Sequence, residues 1–330
     1  MKNELFKNII FSVGGIVMVG STAISCASED DIQLRHSNYA GSGSITQGPA
    51  TTIVTNLFNC QDGRSRVAGI GEVTDAEGNV WTVPGSNQFT TAPKAVDLYE
   101  QCAGVTPKNL AEVNQDDVPV VTVDPQGEVI TGYIFADNYF ELYINGKLIA
   151  VDSVPFTPFN SSIVKFKVSK PYTIAVKVID WEENLGLGSE SNRGSAYHAG
   201  DGGFIASFSD GTVTNSDWQA QTFYTSPIYD LSCLSEKEGA RLSADCAATG
   251  KENGQDAYAV HWKQADNWMS ETFDSTAWPQ ASLYSDDEIG VNNKKAYMNF
   301  IEKFSGAGAS FIWSTNVVLD NEVLLRYTVN

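Results

Sequence analysis

The densest run of side chains able to do chemistry is Asp180-Trp181-Glu182-Glu183-Asn184, followed across a glycine-rich stretch by Arg193, Tyr197, His198 and Asp201. Carboxylates grouped with an amide and backbone carbonyls can supply the roughly six to eight oxygens that Ca²⁺ takes, and Asp180, Glu182 and Asp201 are the expected ligands of such an ion. A sugar is the second chemistry the run suits. Trp181 or Tyr197 can lie flat against a pyranose ring while Asn184, Arg193 and the carboxylates bond its hydroxyls. Glu182, Glu183, His198 and Asp201 also form an acid/base repertoire of the kind that cleaves glycosides. Beside these stands a solvated acidic loop in an acidic protein, which needs no ligand. Other chemistries lack their motifs. His198-Ala-Gly-Asp201 does not have metal-hydrolase spacing, and no nucleophile elbow, P-loop or dinucleotide fingerprint occurs. No residue is assigned a catalytic role.

Such a loop has to be carried by rigid elements. Residues 172–179 alternate as a strand does and lead directly into Asp180. Further strands are expected at 67–73 and 79–83 around an Asp-Ala-Glu-Gly turn, at 118–123, at 133–144 turning at Asn145-Gly146 into 147–151, at 163–168 and at 204–208. Others follow at 259–263, 309–313 and 322–329, whereas helical spacing is confined to short pieces at 94–101 and 108–113. Many short strands without alternating helices predict an all-β chain of packed antiparallel sheets. A segment from about 231 to 258, rich in Ser, Ala and Gly, suggests two β-sandwiches, 52–230 and 231–330, after a flexible tether at 26–51. A second acidic run, Asp286-Asp-Glu288, lacks EF-hand spacing and reads as a turn, as does the sequon Asn160-Ser-Ser162.

The formal net charge is −19. This argues against nucleic acid or an anionic membrane surface as partner, because phosphate contacts need clustered Lys and Arg. The chain opens with Lys2 and Lys7, an apolar stretch too short to span a membrane, and small residues ending in Ala23-Ile24-Ser25-Cys26. This resembles the signal peptide and lipobox of bacterial lipoproteins, which implies cleavage after residue 25 and lipidation of Cys26. Cleavage removes Lys2, Glu4 and Lys7 and leaves a charge of about −20. The membrane would then be reached through the lipid alone. The acidic run Glu29-Asp30-Asp31 resembles an export signal for the outer cell surface, so an outer-membrane lipoprotein facing either the surface or the periplasm is expected. Four cysteines remain, and proximity pairs them as Cys60–Cys102 and Cys233–Cys246, one of three possible connectivities.

Two segments carry a resemblance to a fold family. Asp137-Asn-Tyr-Phe-Glu-Leu-Tyr-Ile-Asn-Gly-Lys147, with Asp210-Gly and Trp218 further on, is similar to the strand-turn-strand and closing run of galactose-binding-like jelly-roll domains. Trp268 through Trp278, with Phe273-Asp-Ser, resembles a second signature of that superfamily, found in accessory domains of rhamnosidase-type glycoside hydrolases. The resemblance implies two jelly-roll sandwiches and says little about ligand. Together these readings lead to the expectation of a non-catalytic, lipid-anchored protein that binds carbohydrate or another envelope protein. The alternatives are a glycan-active hydrolase or lyase using the loop carboxylates, and a structural envelope-assembly lipoprotein.

Overall fold

Alternation along single strands decides the architecture. In Tyr139–Ile144, Phe140, Leu142 and Ile144 turn to one face while Tyr139, Glu141 and Tyr143 turn to the other, and all six are buried. A strand buried on both faces must lie inside a layered structure, and the computed structural model, which describes residues 39–61, 65–191, 198–248 and 256–330, places it there. The chain is all-β.

One large sheet runs, edge to edge, β1 (Ser44–Gln47), β16 (Tyr258–His261), β13 (Gln219–Ile228), β19 (Asp320–Val329), β11 (Tyr172–Ile179), β8 (Tyr139–Ile144) and β9 (Lys147–Val151). The other runs β17 (Ser282–Tyr284), β18 (Phe311–Trp313), β12 (Gly203–Phe208), β7 (Glu128–Asp137), β10 (Ser161–Val168) and β5 (Val96–Tyr99). Beside β5, the short β6 (Val120–Thr122) joins β10 in parallel; the other ladders are antiparallel. A three-stranded sheet, β2 (Thr51–Val54), β3 (Ile70–Thr74) and β4 (Val80–Val83), and a hairpin, β14 (Ser235–Lys237) and β15 (Ala240–Leu242), complete the strands.

The two large sheets pack face to face. Phe140, Leu142, Val176, Val178, Val323 and Leu325 of the first sheet share one apolar core with Ile134, Phe166, Phe204 and Ala206 of the second. Phe140 and Phe204 touch across the gap, with ring centres 6.4 Å apart. Each of the larger side chains among these contributes about 1.5–3 kcal/mol on burial. The outer face of the second sheet is covered by the segment after β17. There Phe135 meets the rings of Tyr297, Phe304 and Phe311 as well as Phe159. On the outer face of the first sheet, Tyr143, Phe223 and Leu324 pack with Leu231, Trp262 and Trp268. Arg326 secures the Trp268–Trp278 loop by donating to the carbonyls of Trp268, Ser270 and Phe273. Both expected disulfides, Cys60–Cys102 and Cys233–Cys246, are formed.

Several expectations are corrected. The boundary at 230/231 does not divide the chain into separate sandwiches: β11 hydrogen-bonds to β19, and β12 to β18, so both large sheets draw strands from either side of it. The expected tether at 26–51 ends early, because β1 pairs with β16 and β2 begins at Thr51. The alternating run 133–144 is two strands. It changes sheets at Asn138, whose N–H donates to the Ile179 carbonyl instead of continuing the ladder of β7. Residues 94–101 contain edge strand β5 rather than a helix, since pairing with β10 satisfies a backbone too short for periodicity to classify. The sequon is closed, with Asn160 buried and its amide donating to Asp152. Cys26 and the export signals lie outside the described residues. Among the described residues no helix is long and apolar enough to cross a membrane.

Candidate functional site

Three strand termini meet at one end of the sandwich: β7 ends in Asp137, β11 is followed by Asp180, and Asp201 precedes β12. Glu190 joins them from the loop after β11, where its backbone forms a two-way bridge with His198. Gly200 marks the point of convergence. A Cβ built there would lie 3.3 and 3.4 Å from the two carboxylate oxygens of Asp180 and 3.4 Å from Glu190 Oε1. Burial pushes Asp137 and Asp180 well above the ordinary carboxylate range, and mutual repulsion with Asp201 and Glu190 adds to the rise. Asp201, less buried, is pushed up to about 6 by burial and then by Glu190. Crowding and burial thus favour the protonated forms of these three aspartates.

Cations border this cluster. Arg66 grips Glu183 with two hydrogen bonds, of 2.9 and 3.1 Å, reaches Glu190 Oε2 at 2.8 Å, and lies over the Phe156 ring. Burial alone would raise Glu183, but Arg66 and the Ser191 hydrogen bonds hold it below its ordinary value. Lys294 covers Phe159, with Nζ 4.6 Å from the ring centre, and its charge also acts on Asp137 and Asp201. Arg66 and Lys294 form one wall of a cavity of about 520 Å³, with Tyr99, Gln101, Phe159 and Lys295.

The expected site residues only partly converge. Asp180 and Asp201 come together, with His198 beside them, its Nε2 3.3 Å from Glu190 Oε2. Glu183 faces the cavity side through Arg66. Glu182 turns away from the cluster, because β11 has ended at Ile179 and the loop backbone no longer alternates. It is buried against Tyr224, whose hydroxyl donates at 3.2 Å, and it accepts from the Gly186 amide, capping the turn. Its carboxyl is pushed up to about 8 by burial. It is therefore no partner of Asp180 and Asp201 in the expected Ca²⁺ set. Nor do Glu182 and Glu183 form an acid/base pair facing one bond. Trp181 is fully buried, donates its indole N–H to the Gly69 carbonyl at 2.9 Å and packs edge-on to Tyr139, so it cannot serve as a sugar platform. Asn184 closes the loop on Ser189. Arg193 and Tyr197 lie outside the described residues. Among the described residues, no three His, Cys, Asp or Glu side chains are placed to hold a metal ion. The second acidic run is a turn, with Glu288 accepting from Ser285 and Asp286 from the Tyr297 hydroxyl.

Sequence reading missed Asp137, Glu190, Arg66, Phe159 and Lys294. They come from five places in the chain, and only the meeting of strand ends brings them together. No protein-family profile, curated protein or solved structure matches the chain.

Proposed function

We propose that this chain is a non-catalytic glycan-binding protein, held outside the cytoplasm by a lipid on Cys26, which takes an acidic sugar in the cavity beside Asp137, Asp180, Glu190 and Asp201. The observation that carries the reading is the composition of the wall. In a chain of net charge −19, Lys294 and Lys295 stand together on one cavity with Gln101 and the ring of Phe159. Ammonium groups attract the carboxylate of a uronic acid, Phe159 supplies an apolar surface, and Tyr99, Gln101 and Asn293 on the same cavity offer polar groups to hydroxyls. Binding fits better than cleavage because the loop glutamates are committed elsewhere, Glu182 to a turn and Glu183 to Arg66.

Isothermal titration with polygalacturonate and alginate oligosaccharides tests this. Wild type should bind, and Lys294→Glu and Phe159→Ala should each weaken binding by about tenfold or more. No retention of wild type on any uronate polymer removes the reading. Equal affinity of all three proteins removes the cavity from it.

A further inference from the structure

Two cations on the wall of the cavity also serve the carboxylate cluster. Arg66 donates to Glu190 Oε2 at 2.8 Å, and its charge acts on Asp137. Lys294 acts on both Asp137 and Asp201. The carboxylates themselves stand behind this wall. Asp137 and Asp180 are 4 % exposed each, and the residues lining the cavity include none of Asp137, Asp180, Glu190 and Asp201. A ligand in the cavity therefore meets the cluster through the charges of Arg66 and Lys294, without touching it.

Arg66 and Lys294 face more negative groups than they can balance. Arg66 is already shared between Glu183 and Glu190. Glu190 reaches on to His198 Nε2 at 3.3 Å, and its Oε1 crowds the same point beside Gly200 as both carboxylate oxygens of Asp180. Asp137 accepts from the Asn138 amide at 2.6 Å, and the charge of Glu182 reaches Asp180 from the far side of the loop. Protons supply the rest of the balance. Asp201, at about 6, changes charge in a range where sugar carboxylates, with an ordinary value of about 3.5, stay ionised. An anion held by Arg66 and Lys294 offsets the positive charge that the aspartates otherwise feel, so they gain more from a proton.

We infer that the carboxylate cluster is a proton-binding site coupled through Arg66 and Lys294 to the cavity, so that an acidic sugar binds with uptake of protons and is released as pH rises. The identity of the anion rests on the proposed function, whereas the coupling belongs to the cluster and its two cations. With the cluster protonated, the wall is more positive and binding is strongest below about pH 6. Affinity falls as pH rises from the value of Asp201 in the free protein toward the higher value it takes in the complex. The effect is reciprocal: if protonation strengthens anion binding by a given factor, the anion strengthens proton binding by the same factor.

The test has one arm with ligand and one without. Calorimetric titration of the full mature chain with polygalacturonate and alginate oligosaccharides, from about pH 5.5 to 8.5, should show affinity falling about three- to tenfold. Near neutral pH, buffers of different ionisation heat should report net proton uptake on binding. Asp201→Asn should flatten the profile, and His198→Asn should keep it. Circular dichroism of each variant establishes that it is folded. In the second arm, Lys294→Gln removes the same charge without any ligand. It should move the carboxyl-carbon titration of Asp201, followed in carbon-13 aspartate-labelled protein and assigned by its loss in Asp201→Asn, upward by about half a pH unit or more. Binding that ignores pH, or a pH dependence that Asp201→Asn leaves intact, overturns the inference while the proposed function stands. Absence of any uronate binding overturns the proposed function and not the coupling. An Asp201 titration that Lys294→Gln leaves in place overturns the coupling in either case.

Discussion

Asp201 is the most exposed of the three aspartates crowded at the sandwich end, and its carboxyl, pushed up to about 6 by burial, makes stability depend on pH. The folded state binds more protons than the unfolded one between the ordinary carboxylate value of 3.8 and about 6. This contribution is fully present below that window and is lost as pH rises through it. His261 runs the other way. Burial pushes it down to about 3, so its contribution is lost as pH falls below 6.5. A difference between variants separates the two. Asp201→Asn should be more stable than wild type by about 1–3 kcal/mol at pH 8 and indistinguishable from it near pH 4, measured by urea denaturation. A gain that does not change with pH would show that the cluster carries no repulsive charge.

Among the elements, β1 has the least expected role. Residues 39–47 are held to the body of the protein by the β1–β16 ladder and by Glu236, whose Oε1 accepts from the Tyr39 hydroxyl at 2.6 Å and the Ser42 amide at 2.8 Å, and also from the Trp262 indole at 2.9 Å. Thr46 adds a hydrogen bond of 2.9 Å to His261 Nε2. Deleting residues 27–50 removes an edge strand from β16 and leaves Glu236 with only some of its donors. Each lost hydrogen bond to a charged group costs about 1.5–3 kcal/mol, so the melting temperature should fall by several degrees or more. An unchanged melting temperature would restore the view of this segment as a tether. The same element shows what composition conceals. Residues 40–50 are rich in Gly and Ser, as tethers are, yet the free edge of β16 gives their backbone a partner.

At the scale of the molecule, the interleaving of strands sets a sharper expectation. A fragment of residues 52–230 lacks β19, the strand between β11 and β13, and β18, the neighbour of β12. It would expose Val176, Val178 and Phe204 and leave unpaired ladders in the middle of sheets. Such edges invite association. Expressed alone, the fragment should be unfolded or aggregated, without the cooperative transition of the full chain. A monomeric, cooperatively melting fragment would contradict the single two-sheet core.

Much of this was legible locally. The strands 172–179 and 204–208, the turn at Asn145-Gly146 and the all-β character follow from side-chain periodicity and turn chemistry, which act over a few residues. The disulfides were legible by proximity along the chain. β13 was not, because Gln219-Ala-Gln-Thr222 shows no apolar alternation, although its neighbours β19 and β16 bury it. The site was only partly legible. Asp180 and Asp201 could be named from the acidic run. That Trp181 and Glu182 turn inward, and that Asp137, Arg66 and Lys294 arrive from distant segments, depends on which strand ends lie side by side. Sequence by itself determined which segments are strands and which residues can ionise or stack. Tertiary structure alone decided that one core unites both halves, and which charges meet, because pairing between strands far apart in sequence is set by burial of whole faces and not by any local signal.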